Sequence, residues 1–565
     1  MKEFRQKIKR IAGKSYGCYR DLRGGFRVGK TRFDLYHVQP DPTAPPSQVE
    51  ISIPFSESGL PLDLVRDDLD RLALCDFVHR RVFPVVCEQS RQAGPARTGG
   101  SIGMARPSQE ILARTAVQVR GETLRIRLSV ALPADQRFVA GEAAEDLLLR
   151  RLPEAATVAA WWDDGDRERF ELHRKTLRRA RALRERLKER GLVAFVADGS
   201  LLPRKSGDSD EPAEGGIPFE SPEAWRVALE AEGEEVVGMG VPAGISLIVG
   251  GAFHGKSTLL HALERGVYDH VPGDGREGVV TLPDARKIRC EEGRWISDLD
   301  LSLFAHDLPG GADARRFSTA SASGAVSQAA AVVEALETGC STLLVDEDAS
   351  AVNFLFRDER MRALVDVSEE SIVPLVDRAA ELRRRGVSLV MVAGAGGDML
   401  DLADRVLAMR GWRPFDATAE ARAACEKFPS RRKDPPPPGD APRRRAPALR
   451  EWRERSLRAK AGTVHARAAS SALVRLGSFE LDLGALDQVV DRHQAQAIGA
   501  AILWLSERPS PPEDLSAALA LVERRLAEAG LDGLTDRAAG ELAAFRREEL
   551  ACALCRLRGL SSGEA

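Results

Sequence analysis

The sequence predicts a multidomain α/β protein: an α+β segment first, a core built on parallel strands second, and a mostly helical segment last. Three observations carry this. The apolar run 244–249 leads into a glycine-rich loop and then into helical periodicity. A second apolar run, 342–345, ends in two acids. Composition also shifts several times along the 565 residues, a length that suggests roughly three or four domains.

The first run continues as Gly250-Gly251-Ala-Phe-His-Gly255-Lys256-Ser257-Thr258, the spacing of a Walker A phosphate loop. The glycines permit a tight turn whose backbone N–H groups converge on one anion. Lys256 is placed to reach the β- and γ-phosphates of ATP, and the Ser257 hydroxyl to hold Mg²⁺. The pattern after Thr258 is helical, so a helix N-terminus with its positive dipole end faces the phosphates. Gly250, Gly251, Gly255, Lys256, Ser257 and Thr258 are the candidate phosphate-binding residues.

The second run, Thr342-Leu-Leu-Val-Asp346-Glu347, has the form of a Walker B strand. A parallel strand covered on both faces is continuously apolar, and ligands gather at the carboxyl ends of such strands. Asp346 is the candidate second metal-binding residue. Glu347 is the candidate general base that polarises the attacking water, a role worth roughly 10²–10⁴ in rate. Together with Lys256 it forms the candidate catalytic pair.

Beyond the acids, Asp348-Ala-Ser350-Ala351-Val-Asn353 resembles the D-loop of ATP-binding-cassette (ABC) ATPases. Upstream, Ser321-Ala-Ser323-Gly324-Ala-Val-Ser327-Gln328 opens a helical stretch where the signature motif of that class belongs. A small-residue turn at a helix start offers N–H groups, hydroxyls and a dipole to an anion. In the ABC arrangement that anion is the γ-phosphate held by the opposite cassette, so Ser323 and Gly324 would complete a partner's site and one cassette per chain implies a homodimer. The chain is similar to the predicted ATPases of the ABC class, which carry one cassette between family-specific terminal domains. The similarity runs through 192–207, 267–277, 317–324, Leu344–Asp348, Asn353, Arg357-Asp358 and Gly394-Ala-Gly-Gly-Asp398. Association with RNA in some relatives is implied by this resemblance alone.

Two departures stand out against the wider ABC pattern. No glutamine lies between Thr258 and Ser327, so the Q-loop glutamine is absent; Asp298 and Asp300 are the candidate stand-ins. No histidine follows the strand 387–393, so the switch histidine is replaced, with the N–H groups of the glycine turn at 394–397 and Asp398 as candidates. His254, inside the phosphate loop, reads as an exposed loop histidine.

The formal net charge is −3, but the first thirty-two residues are strongly basic: Lys2, Arg5, Lys7, Lys9, Arg10, Lys14, Arg20, Arg23, Arg27, Lys30 and Arg32 face only Glu3 and Asp21. Such a block is either a solvated surface or a nucleic-acid contact. Tyr16, Tyr19 and Phe26 are interleaved with it and are candidate base-stacking residues. Eight scattered cysteines without a secretory signal fit a reducing cytoplasm. Cys552-Ala-Leu-Cys555 lies in a helical pattern and lacks a second ligand pair for zinc. No apolar run is long enough to span a membrane.

Residues 1–165 therefore form the basic α+β domain, with candidate strands at 33–38, 49–54 and 123–132. The ATPase domain spans 166–428 and is entered by a basic helix whose apolar stripe is Phe170, Leu172, Leu177, Leu183 and Leu187. Its candidate strands are 192–197, 244–249, 342–345 and 387–393. A Pro/Arg-rich linker covers 429–450, and 451–565 forms the helical C-terminal domain. The expected activity is slow MgATP hydrolysis at composite dimer sites, coupled to RNA. The alternatives are a nucleotide-gated scaffold with little turnover and a small-molecule phosphotransferase on a phosphate-loop fold.

Overall fold

The computed structural model describes residues 1–91, 99–207, 209–365, 370–430, 445–447, 449–459, 464–510 and 512–558. Two compact units emerge: Met1–Leu177 with Ala529–Ala544, and Arg178–Glu528 with Phe545–Ala565.

In the first unit, Gly24–Val28, Thr31–His37, Ser47–Pro54 and Thr123–Ala131 pair in that order as an antiparallel sheet. Ser101–Gly103 and Val117–Arg120 join the last strand. Ser47–Pro54 alternates strictly between buried and half-buried residues, as a strand with one covered face must. The helix Asp68–Arg91 buries Leu74, Phe77, Val78 and Val82.

The eleven basic residues of the first thirty-two are all exposed. The aromatic residues between them are not, which overturns the base-stacking expectation. Tyr16, Tyr19 and Phe26 are buried. Tyr16 and Tyr19 donate their hydroxyls to the carbonyls of Leu132 and Pro133, at 3.1 and 2.6 Å. Phe26 stacks between Phe4 and Phe33. The apolar residues Phe4, Ile8 and Ile11 recur at i, i+4 and i+7 in the helix Lys2–Ile11, so its cations are left on the solvent side.

The boundary between units falls within the helix Asp164–Glu189. Phe170, Leu177, Leu183 and Leu187 are buried. Leu172 is exposed, because a residue two positions past Phe170 points to the other side of a helix.

The second unit centres on a six-stranded sheet. Its order is Arg286–Ile288, Thr342–Asp346, Ser388–Ala393, Ile245–Val249, Arg405–Arg410 and Arg413–Asp416. The first five strands are parallel and the last turns back antiparallel. Every residue of Thr342–Asp346 and Ser388–Ala393 is buried, because side chains leave alternate faces into two separate cores. Leu343 and Val345 enter the core that holds Ala329, Val332 and Val333 of the helix Gly324–Glu337. Leu344 enters the core with Leu259, Leu260 and Leu263 of the helix Lys256–Arg265. An antiparallel sheet of Arg226–Ala231, Glu234–Pro242, Leu192–Ala197 and Val279–Thr281 supplies the rest of that second core.

The C-terminal part of this unit is helical, with Leu449–Ala459, Arg492–Ser506, Leu515–Ala529 and Arg547–Arg556. It also carries one small antiparallel sheet of Ala466–Ala468, Leu473–Leu476 and Phe479–Asp482. Residues 431–444 of the Pro/Arg-rich linker lie outside the described residues. Arg445, at its far end, is buried in ion pairs with Glu334 and Glu337 rather than solvated. Among the described residues, no helix is long and apolar enough to cross a membrane.

Candidate functional site

The strand Ile245–Val249 delivers the loop 250–255 to the carboxyl edge of the parallel sheet. Gly250 holds φ +142° and Gly255 φ +96°, conformations that side chains rarely adopt. A Cβ on Gly250 would also fall 2.4 Å from the Met409 carbonyl, so the loop cannot carry anything larger there. The helix Lys256–Arg265 starts directly after Gly255. Its first N–H groups, including those of Lys256, Ser257 and Thr258, precede the first possible intrahelical bond and are available to an anion.

Lys256 folds over this loop and donates its Nζ to the Gly251 carbonyl at 2.9 Å. His254 is exposed; its Nδ1 accepts the Gly411 N–H at 2.8 Å, and its carbonyl accepts the Trp412 N–H. The hairpin 410–413 is thereby tied to the loop. Beside it opens a cavity of about 610 Å³, lined by Gly250, Gly251, His254, the 394–397 turn, Met409 and Arg410.

The strand Thr342–Asp346 brings the acids to the same edge. The Ser257 hydroxyl lies near enough to the Asp346 carboxyl to favour its ionised form. Burial raises the Asp346 carboxyl above its ordinary value, and the charge of Lys287 opposes that shift. This hydroxyl and carboxylate form an oxygen-only donor pair. That chemistry fits Mg²⁺, a hard cation that takes few protein ligands and keeps waters and phosphate oxygens for the rest.

One strand, Ser388–Ala393, lies between the Walker A and Walker B strands, and its exit turn therefore lies between their ends. There the Glu347 carboxylate accepts the N–H groups of Gly394 and Ala395, the latter at 3.1 Å. The turn that stands where the switch histidine would be is engaged with the candidate base itself.

Ser323 and Gly324 begin the helix Gly324–Glu337, with Ser323 exposed as its N-cap. The Gly324 N–H donates to Glu292 at 3.0 Å. Among the described residues no hydrogen bond links this turn to the phosphate loop of the same chain. Asp298 and Asp300 do not stand at the sheet edge. They lie at the end of the strand Arg294–Leu299, part of a separate two-stranded sheet. Asp298 accepts from Arg316, and Asp300 from Ser302. The strand next to Thr342–Asp346 is Arg286–Ile288, and its exit carries Arg289, Cys290, Glu291 and Glu292.

No motif in the sequence marks Glu292, and Gln328 and Ser350 lie inside the signature and D-loop stretches without a role that the sequence alone assigns. Gln328 is fully buried and bonds both Ser350 and the backbone of Ala351. No local signal marks these pairings, because each joins segments twenty or more residues apart. Cys552 and Cys555 sit on the helix Arg547–Arg556, and no group of three or more His, Cys, Asp or Glu is arranged for a metal among the described residues.

Comparison with known proteins identifies the segments. Residues 166–442 match the P-loop domain model of the ABC ATPases. Residues 1–160 match the N-terminal model of the ATPase of the ABC class, and 465–563 match the MRB1590 C-terminal domain. An uncharacterized protein of Methanocaldococcus jannaschii, MJ1628, is 32% identical over 236 residues, covering 40% of this chain and 52% of its own length. The chain thus spans about half the length of that curated relative. Solved structures with similarity include MJ1267, an ATP-binding cassette of an ABC transporter in its ADP conformation. Its TM-score is 0.24 at 11% identity, covering 41% of this chain and 96% of that one. CbiO1 from Clostridium perfringens, part of the ABC transporter complex cbiONQ, has a TM-score of 0.25 at 13% identity, covering 42% and 93%.

Proposed function

From the premise that this chain belongs to the ABC-class ATPases, we propose that it binds MgATP on the 250–258 loop and hydrolyses it slowly in a homodimer. In this reading Lys256 and the loop N–H groups hold the β- and γ-phosphates. Ser257 and Asp346 hold Mg²⁺, which when bound screens phosphate charge. Glu347 orients and deprotonates water, and Ser323 with Gly324 closes the partner's site. The observation that carries the reading is the meeting of three segments at one sheet edge: the loop with Lys256, the Ser257–Asp346 pair, and Glu347. Turnover is coupled to RNA through the exposed basic segment at the N-terminus.

Steady-state phosphate release tests it, using wild type and Glu347→Gln, each with and without single-stranded RNA. The expected outcome is release that RNA stimulates and that falls roughly 10²-fold or more in the variant. Release indifferent to RNA removes the coupling and keeps the ATPase. Saturable ATP binding with no release from either protein removes the hydrolysis step.

That last outcome belongs to a second reading, a nucleotide-gated scaffold. The contact that favours it is the hold of Gly394 and Ala395 on Glu347. A carboxylate oxygen that already accepts two N–H groups is held in place and has fewer lone pairs left for a water. ATP-dependent dimerisation unaffected by Glu347→Gln is its mark. The phosphotransferase alternative has no feature of the site in its favour, and phosphate transferred only to water removes it.

A further inference from the structure

The helix that begins at Ser323 and the loop that follows the catalytic acids are joined by one side chain. Gln328, at the second turn of the helix Gly324–Glu337, is 0% exposed. Its Oε1 accepts the Ala351 N–H at 2.9 Å, and its Nε2 donates to Ser350 Oγ at 2.7 Å. The backbone donor at Ala351 fixes the orientation of the amide, leaving its N–H₂ toward Ser350. The Ser350 hydroxyl, having accepted from Gln328, donates its own proton to the Asp346 carbonyl at 2.6 Å. Every bond has one donor and one acceptor, so the chain runs in a single direction, from the Ala351 N–H through Gln328 and Ser350 to the last residue of the Walker B strand.

A buried amide without partners is costly, so this network holds only when helix and loop keep their relative position. A shift of the helix must therefore move Ser350 and Ala351, or break the bonds. The same helix opens with Ser323 and Gly324, and the same loop begins at Glu347. We propose that Gln328 is a positioning residue: it transmits the state of the Ser323–Gly324 turn to Asp346 and Glu347 of its own chain. The proposal rests on the homodimeric reading above. Nucleotide held by the partner engages the turn, and the relay sets the acids that act on the nucleotide of this subunit. Turnover at the two sites is coupled as a consequence.

Three substitutions in the full-length protein test it. Gln328→Met keeps the volume and removes both polar ends. Ser350→Ala cuts the same chain at its half-buried far side and serves as the second variant should Gln328→Met fold poorly. Gln328→Glu keeps the acceptor for Ala351 but turns an acceptor toward Ser350. Expected for Gln328→Met and Ser350→Ala is a kcat about 5- to 30-fold lower with ATP affinity unchanged. The cooperative dependence of rate on ATP concentration becomes hyperbolic. The double variant falls no further than either single variant, since one relay is cut once. Gln328→Glu recovers as pH falls, because the protonated carboxyl again donates to Ser350; a purely structural role predicts no such recovery.

Hydrogen exchange in the 347–353 segment reads the relay independently of turnover. A non-hydrolysable ATP analogue is expected to protect both this segment and the turn at 321–325 in wild type. In Gln328→Met it protects only the turn. Additive losses, a raised KM at unchanged kcat, or equal protection of 347–353 in wild type and variant overturns the relay. Absence of turnover in wild type overturns the hydrolysis reading instead, and the exchange result then decides the relay alone.

Discussion

The first thirty-two residues and the surroundings of Glu334 use the same kinds of residue to opposite ends. In the first, eleven cations are all exposed while the aromatic residues between them are buried. In the second, Arg294, Arg445 and Arg556 are almost entirely covered, with side-chain exposures of 2, 10 and 7%. Arg294 and Arg445 pair with Glu334, and Arg556 with Glu291. Charge on the outside is cheap and free to meet a partner. Charge on the inside is held only because each group has a counter-charge and hydrogen bonds. A run of cations thus says little until burial is known, as Arg445 illustrates by leaving a cationic linker and entering the buried cluster.

The largest expected effect comes from breaking the buried side. Arg294→Met takes one of two cationic partners from Glu334, a carboxylate on the helix that begins with Gly324, leaving it Arg445, and removes the donor to the Ser327 carbonyl. Removing one partner of a buried pair costs about 3–5 kcal/mol. Urea unfolding of the variant, monitored by circular dichroism, is expected to show a lower midpoint and a loss of unfolding free energy of that order. A shift no larger than that of a surface arginine would place Arg294 with the exposed cations.

The same cluster gives a pH signature. Burial, which Arg445 opposes and Glu334 reinforces, raises the Glu337 carboxyl to about 7 from 4.5. Arg445 does not cancel the burial cost because it is shared with Glu334. A carboxyl with a raised folded value binds its proton more tightly in the native state. Its contribution to stability is complete below pH 4.5 and is lost as pH rises through about 7. Glu334 has the opposite sign: burial pushes it up, but the arginines carry it down to about 2, so its contribution is present above pH 4.5 and lost as pH falls toward 2. Glu337→Gln is expected to flatten the decline in stability between pH 4.5 and 7 while leaving the acid limb intact. An unchanged decline assigns it to another group.

Much of the architecture was legible because it is written in contiguous residues. The strands around 192–197, 245–249, 342–346 and 388–393 are short, mostly apolar runs, and the phosphate loop and the two acids are short motifs at strand ends. What joins these motifs was not legible. Glu347 meets a turn forty-seven residues away, and Gln328 meets Ser350 across twenty-two. Glycine-turn N–H groups leave no side-chain signal of what they bind. The aromatic misreading has a different cause. Tyr16 and Tyr19 are three apart in the 3₁₀ segment Tyr16–Leu22 and share a face. In one dimension, such spacing looks the same whether the face meets a base or a core.

Tyr19→Phe sharpens the exposed side of the comparison with a smaller effect. It deletes the hydroxyl that bonds the Pro133 carbonyl and leaves the ring in place. Expected is a loss of about 1 kcal/mol, the typical worth of one buried hydrogen bond, and no change in RNA affinity. A fall in RNA affinity without a fall in stability would return the ring to the binding surface.

The smallest effect on stability should come from the exposed cations, where the largest effect on binding is expected. Lys7, Lys14 and Arg27 are suitable for removal together; Arg5 is left in place because it pairs with Glu145 at 2.7 Å. Each substitution to alanine takes away a solvated charge and no packed group, so unfolding should move by less than about 0.5 kcal/mol per site. If these cations meet phosphates, each also releases counterions on binding, and the triple variant loses roughly 0.7 per contact from the salt slope for single-stranded RNA. The slope, rather than affinity at one salt concentration, separates direct contact from a general change in charge. An unchanged slope with unchanged stability would leave these cations as solvated surface, and RNA contact would have to be sought elsewhere on the chain.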